Sequence, residues 1–412
     1  MKRKIALLAA LPFAFASFAF AGCKEEAKAP EQVVLCDFEQ FEPDFQLMRL
    51  QHEFGAVRVN TDEKYVKSGK TSAKLMPIGG YTSGAVPYAY IQTFSDRFDY
   101  DYRDFTKVKS FSMWMYNAQE TTEVVKFGLI GEITSTTSCV KVPCIQYALE
   151  SGWNKVVVYL EHDKLAFSLD VADVPGLYVE FENAGVRDIE EAPVFYMDDV
   201  ALNTLETPVE IDDDYEFAKG EIADFEYDYQ ANMITYQNTK DTSMPNAYVV
   251  KAANEGLIAP SGEKILKVVT KGDKERSGWP SILIPQKILE ASGFNQIPKE
   301  QWANYVFRFE VYTEVEDIDF KLYSILYAQK GSQGKQTIKT KAGEWVTHEV
   351  AFSTVGYFDS NTTEEKLQTA TENILTAPAK WAINWGGYND AEEKVFYLDN
   401  FRYVNITEEG AQ

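Results

Sequence analysis

Histidine is almost missing: His52, His162 and His348 are the only three in 412 residues, and each is isolated in sequence. That leaves little room for multi-His zinc chemistry or for several imidazole-based sites. Positive charge is also short, with 40 Lys and Arg against 63 Asp and Glu and a formal net charge of −23. A polyanion would meet a repulsive field, which argues against nucleic acid as a partner. No G-x-S-x-G elbow, H-E-x-x-H pair or Cys/His nucleophile motif occurs. No catalytic residue is assigned, although a carboxylate pair among the acids stays open. Past the amino terminus, no apolar run is long enough to span a bilayer. Apolar and aromatic residues are plentiful: 45% of the chain is hydrophobic, with 26 Phe and 24 Tyr. A large core is therefore affordable, and these residue types suit pleated, half-buried strands.

The amino terminus carries a compartment signal. Lys2, Arg3 and Lys4 precede an apolar run from Ile5 to Ala21, which ends in Phe20-Ala21-Gly22-Cys23. The segment resembles a bacterial lipoprotein signal, with Phe20 in place of the more usual Leu and Cys23 as the lipid acceptor. The open alternatives are a plain signal peptide and an uncleaved anchor helix. Cleavage before Cys23 removes three positive charges and leaves a formal net charge of about −26. The expectation is an exported protein, lipid-anchored in the membrane at the cell envelope and exposed at the surface. Residues 24–32 then form a short polar tether.

Four cysteines are present in all. Cys139 and Cys144 stand close in sequence, and in an exported chain they are expected to close a small disulfide loop. Two separate thiols, or an incomplete metal site, are the alternatives. Cys36 follows the apolar run Val33-Val34-Leu35 and is expected to be buried.

The chain repeats itself once. Asp37-Phe38-Glu39 returns as Asp224-Phe225-Glu226, and the Ser68-Gly69 turn returns as Ser261-Gly262. The aromatic strand Ser110–Tyr116 returns as Val306–Tyr312, and Gly152-Trp153 is answered by Glu344-Trp345. The closing Phe195-Tyr196-Met197-Asp198-Asp199 matches Phe396-Tyr397-Leu398-Asp399-Asn400. Each copy is a domain-sized unit, too long for a solenoid repeat. The resulting division is 1–22 signal peptide, 23–32 tether, 33–205 first domain, 206–219 acidic linker, 220–406 second domain and 407–412 tail.

Period-2 alternation dominates both copies. Helix signals are few: one from Thr362 to about Leu375, with Thr362 and Glu365 in capping-box spacing, and one from Gln286 to Ala291 after Pro285. The expected fold is all-β, two tandem antiparallel β-sandwiches with short helices in the second.

These landmarks resemble non-catalytic carbohydrate-binding modules of the galactose-binding-like jelly-roll type. The resemblance implies packed antiparallel sheets with adjacent first and last strands. It also implies a structural calcium site in each copy, with Glu39 and Asp198 as ligands in the first and Glu226 and Asp399 in the second. Such carboxylates are the hard oxygen donors calcium takes. Edge-strand charges, or partners of a nearby Lys such as Lys70, are the plainer alternative.

A bound sugar needs exposed aromatic rings for its C–H face and amides or carboxylates for its hydroxyls. Trp153 and Trp345 match each other and are expected in the core, as are Phe105 and Trp302. Aromatics without a counterpart are the better candidates: Trp279, Trp381, Trp385 and Tyr388, with Asn384 nearby. Tyr88, Tyr90, Trp114 and Tyr116 alternate in the first copy, where a core position is the commoner fate. The favoured function is non-catalytic binding of a polysaccharide or oligosaccharide at the cell envelope. The competing classes are a glycoside hydrolase or lyase and a structural or adhesive protein with an envelope protein partner.

Overall fold

The computed structural model describes residues 32–39, 50–53, 55–78, 87–96, 99–135, 138–160, 169–181, 188, 190–204, 220–226, 235–237, 246–270, 281–314, 321–386 and 394–409. Cys23, the tether up to residue 31, the linker 206–219, Trp279 and Tyr388 lie outside the described residues, as do the side chains of Cys139 and Trp385.

The first copy supplies strands β1 (Gln32–Cys36), β2 (Leu50–Glu53), β3 (Gly55–Asn60), β4 (Ser72–Pro77), β5 (Tyr88–Gln92), β6 (Phe94–Ser95) and β7 (Tyr100–Asp101). It continues with β8 (Ser110–Asn117), β9 (Glu123–Ser135), β10 (Ser138–Leu149), β11 (Gly152–Tyr159), β12 (Gly176–Phe181) and β13 (Phe195–Asn203). The second copy supplies β14 (Glu221–Ala223), β15 (Thr235–Gln237), β16 (Asn246–Lys251), β17 (Lys264–Thr270), β18 (Ser281–Pro285) and β19 (Tyr305–Thr313). It ends with β20 (Lys321–Ala328), β21 (Gln333–Ile338), β22 (Glu344–Ala351), β23 (Pro378–Gly386) and β24 (Lys394–Asn405).

Among the described residues, each copy folds into a six-stranded and a five-stranded sheet on one plan. The six-stranded sheets run β11-β8-β13-β4-β3 with β1 on β13, and β22-β19-β24-β17-β16 with β14 on β24. The five-stranded sheets run β10-β9-β12-β5-β2 and β21-β20-β23-β18-β15. The named strand pairs of these sheets are antiparallel, and the first and last strands of each copy are neighbours. The chain is thus a tandem of all-β antiparallel sandwiches, as its alternation predicts.

Alternation puts one face of each strand into the core. On β8 Phe111, Met113 and Met115 point inward and meet Phe127, Leu129, Leu177 and Val179 of the facing sheet. On β19 Phe307, Phe309 and Val311 meet Leu322, Trp381 and Ile383. Burying each such side chain contributes about 1.5–3 kcal/mol. Cys36 and Phe105 are buried as expected, and Trp302 packs against the second core while its Nε1 donates to Ile297 O at 3.1 Å.

Helix α1 (Gln286–Ala291) starts directly after Pro285, and α2 spans Glu364–Thr376. The N-cap of α2 is Thr363, not Thr362: the Thr363 hydroxyl accepts from Lys366 N, while Thr362 accepts from Phe358 N and Asp359 N in the preceding turn. The carboxy-terminal segment carries a further short helix, α3 (Ile406–Glu409). Among the described residues, no helix is long and apolar enough to cross a membrane. The two sandwiches touch along β10 and β16, where Lys251 Nζ lies 2.6 Å from Glu150 Oε2.

The expected Cys139–Cys144 bridge is not formed. Both residues lie on β10, and Cys144 is free. A strand rises roughly 3.3 Å per residue, so five steps span at most about 16 Å, and two bulges in the ladder shorten this without folding the strand back on itself.

Candidate functional site

The repeated landmarks converge on one turn in each copy. In the first, Glu39 Oε1 accepts from Lys70 N at 2.6 Å and from Thr71 N at 2.8 Å. From the other side, Asp198 Oδ2 accepts from Lys67 N at 2.9 Å and Ser68 N at 3.3 Å. The second copy repeats this. Glu226 Oε1 accepts from Glu263 N at 2.7 Å and Lys264 N at 2.6 Å, and Asp399 Oδ2 accepts from Ser261 N at 2.9 Å. Carboxylates about 160–175 residues apart therefore hold the same short turn, because the first and last strands are neighbours.

Local chemistry explains how the chain reaches this arrangement. In Asp37-Phe38-Glu39 the Asp37 carboxylate accepts from Glu39 N, an Asx-type turn that lets Phe38 sit at φ 59° with its ring in the core. Asp224-Phe225-Glu226 does the same, with Phe225 at φ 63°. After the closing Asp, Asp199 and Asn400 sit at φ 48° and 55°, where a register shift bulges the strand and turns the carboxylate toward the turn. Backbone strain at matched non-glycine positions clusters at this one place in both copies. Such clustering marks a site that the surrounding structure holds in position.

The electrostatics are matched as well. Asp198 and Asp399 are fully buried, and burial pushes their carboxyls up to about 6 and about 8. Backbone N–H donors oppose that rise in both, while the Asp199 charge adds to it at Asp198 and the Glu310 and Asp224 charges add to it at Asp399. Among the described residues, no group of three or more His, Cys, Asp or Glu converges as a ready metal cluster. Each copy brings two carboxylates to one turn, hard oxygen donors suited to calcium and not to zinc. The copies differ at the residue that follows the turn. Lys264 Nζ donates to Glu226 O at 3.0 Å, whereas Thr71 fills that station in the first copy, its hydroxyl donating to Phe38 O.

The aromatic candidates fall out differently from the sequence expectation. Trp381 is a core residue, not a sugar platform. It is 0% exposed, with ring centroids 5.1 Å from Phe307 and Phe309, and its Nε1 donates to Ser324 Oγ at 2.8 Å. Ile383, two residues on, is buried on the same face. Trp385 pairs in backbone register with Leu322. Trp153 and Trp345 lie outside the two central cores, on the outward faces of the six-stranded sheets: Trp153 packs against Tyr116, and Trp345 packs with Tyr312 against a separate buried cluster of Val250, Ala252, Ile265 and Tyr397.

The outward faces of the five-stranded sheets carry aromatics that alternation alone does not label. In the first copy Tyr88 and Tyr90 on β5 and Tyr178 and Glu180 on β12 share that face. Lys141 Nζ pairs with Glu180 and lies 4.4 Å from the Tyr88 ring centre. In the second copy Tyr323 and Tyr327 on β20 flank a small apolar patch of Leu283, Ile325 and Ala382. Lys335 Nζ and Lys380 Nζ lie 4.1 and 4.9 Å from their ring centres. Asn384 shares this face, and its buried Oδ1 meets no hydrogen-bond partner among the described residues.

No protein-family model matches the chain, and no curated protein matches it. Among solved structures, the tandem CBM22-1–CBM22-2 domains of Xyn10C from Paenibacillus barcinonensis align with 92% of this chain and 99% of that chain, at 13% identity and a TM-score of 0.29. A family 11 carbohydrate-binding module from Clostridium thermocellum, solved with a β-1,3-1,4-mixed-linked tetrasaccharide, aligns with 43% of this chain and 98% of its own at 11% identity and a TM-score of 0.31. An exo-β-agarase aligns with 45% of this chain and 25% of its own at 14% identity and a TM-score of 0.31. At identities and TM-scores this low, none of them assigns this chain a ligand or an activity.

Proposed function

We propose that this protein is a non-catalytic, lipid-anchored envelope protein that holds extracellular glycan through its two sandwiches. The observation that carries the reading is the aromatic and lysine-bearing outward face of the five-stranded sheet in both copies. Tyrosine rings offer flat apolar surfaces to the C–H face of a pyranose, and Lys141, Glu180, Lys380 and Asn384 stand beside them as partners for hydroxyls. Two linked faces would raise retention on a polymer by avidity without new contacts. The basic and apolar amino terminus ending at Cys23 supports export and anchoring.

Calcium is proposed as a structural ion, held by Glu39 and Asp198 in the first copy and by Glu226 and Asp399 in the second. Its chemistry there would be neutralisation of carboxylate charge, above all that of the buried Asp198 and Asp399. The protein's own part is to hold the turn in place through backbone N–H donors from both sides.

The test is retention of the mature protein on a panel of immobilised polysaccharides. Tyr90→Ala and Tyr323→Ala are each expected to weaken retention by about 1–3 kcal/mol, by analogy with stacking of bases on aromatics. Release of reducing ends would establish an enzyme instead, and silence on every polymer would favour a protein partner. Cys23→Ala is expected to leave the protein unlipidated, and palmitate label in that variant would refute the anchor.

A further inference from the structure

One residue of the first copy, Ala148, is buried among residues of the second. It lies on the edge strand β10, where its neighbours Tyr147 and Leu149 turn into the core of the first sandwich, so its own side chain faces outward. It is nevertheless only 8% exposed. The buried cluster it belongs to is otherwise made of second-sandwich residues: Val250 on β16, Ala252 just after it, Ile265 on β17 and Tyr397 on β24. Polar contacts surround this cluster. Lys251 Nζ lies 2.6 Å from Glu150 Oε2, and Asn254 Nδ2 donates to Glu150 Oε1 at 3.4 Å and to Thr122 Oγ1 at 3.5 Å. An apolar centre inside a polar rim is the anatomy of a specific interface.

The first copy has no such face at the matching stations. Tyr196 and Tyr397 hold the same place in the closing motif, and they pair with Lys74 and Lys267. Two residues before those lysines, Ser72 stands where Ile265 stands, and their ladder partners are Asn60 and Val250. Asn60 Nδ2 donates to Ser72 Oγ at 3.0 Å, and Tyr65 stacks on Tyr196 with ring centres 4.1 Å apart. The first copy therefore closes these stations with its own side chains. In the second copy the pair is aliphatic, and Glu255 takes the Tyr397 hydroxyl at 2.8 Å. The shared fold does not require Val and Ile here, whereas contact with a neighbouring sandwich accounts for them.

We propose that this face of the second sandwich is a built docking surface for the first, and that the two are held in one fixed orientation. Domains of one chain move against each other unless an apolar interface holds them. The half-exposed Lys251–Glu150 pair contributes little energy by itself and fixes the register, while the aliphatic cluster supplies the hold. One consequence rests on the glycan reading: the tyrosine faces of both copies would meet a polymer in a constant mutual arrangement. The docking itself needs no glycan.

The test is hydrogen exchange, read by mass spectrometry on the mature protein with no ligand present. Ala148→Arg points away from the first core and drives a charge into the junction. It is expected to raise exchange across Asn246–Lys251, in the other sandwich, by on the order of tenfold, with β8 and β19 unchanged. Glu150→Lys and Lys251→Glu are each expected to do the same more weakly, and the double variant to restore protection. Should Ala148→Arg fail to fold, seen as fast exchange in β8, the charge-reversal series decides the point. Native exchange at Asn246–Lys251 in folded Ala148→Arg, or a double variant no better protected than the single ones, would overturn the docking. Silence on every polysaccharide would remove the glycan reading and leave these exchange results as they are, so the two fail separately.

Discussion

Gly69 lies directly against the carboxylate of Glu39: a Cβ at Gly69 would collide with the Glu39 carboxylate, and Gly262 stands in the same relation to Glu226. The turn backbone can approach the acid only because no side chain intervenes, and φ values of 65° and 58° make the same demand.

Gly69→Ala and Gly262→Ala should therefore destabilise their domains by more than the roughly 1–2 kcal/mol that a left-handed backbone alone costs an alanine. Gly256 is the internal control, at φ 72° with nothing near its missing side chain. Denaturant unfolding should rank Gly262→Ala clearly below Gly256→Ala in stability. Equal losses would show that the glutamate contact is incidental.

The buried acids set a pH dependence. Asp198 and Asp399, raised to about 6 and about 8, hold their protons more tightly in the folded chain than in the unfolded one. Their contribution is full below the unfolded value of about 4 and is lost as pH rises through 6 for the first and 8 for the second. Metal-free protein should melt at a lower temperature at pH 8 than at pH 6, and Asp399→Asn should flatten that slope. Calcium should raise the melting temperature most at pH 8. Identical melting curves with calcium and with excess chelator would remove the ion from both sites.

Trp381→Ala should cost about 3–5 kcal/mol, a large aromatic deletion in a closed core that also leaves the buried Ser324 hydroxyl without its indole donor. Urea unfolding measures it. A variant of native stability that had merely lost glycan retention would return Trp381 to the list of ligand residues.

Burial pushes the Cys144 thiol up to about 12. Alkylation by iodoacetamide at pH 8 should therefore be slow at Cys144 in the native protein and fast in denaturant, because the thiolate is the reactive species. A Cys139–Cys144 bridge in the non-reduced protein, seen by mass spectrometry, would contradict the extended course of β10.

Much of the architecture was legible in the residues. Alternation such as Phe307, Phe309 and Val311 along one strand specifies a half-buried sheet, and the twice-repeated Asp-Phe-Glu and Ser-Gly landmarks specify a duplicated domain. Those motifs are local: an Asx-type turn, a glycine turn and a bulge each depend on a few neighbouring residues. Their recurrence in order could therefore be read along the chain, and so could the pairing of Glu39 with Asp198 on one turn once the first and last strands were taken as adjacent.

What alternation does not carry is a label saying which of its two faces looks inward. Trp381 and Trp114 both sit in alternating strands and both lack a counterpart in the other copy. The packing of one sheet on the other buried the first and left the second half-buried on the outward face of its sheet. Nor could the distance between Cys139 and Cys144 be read from their spacing, since five residues can close a loop or extend along a strand. Only the pairing of β10 with β9 decided that, because a ladder of interstrand hydrogen bonds holds the chain extended.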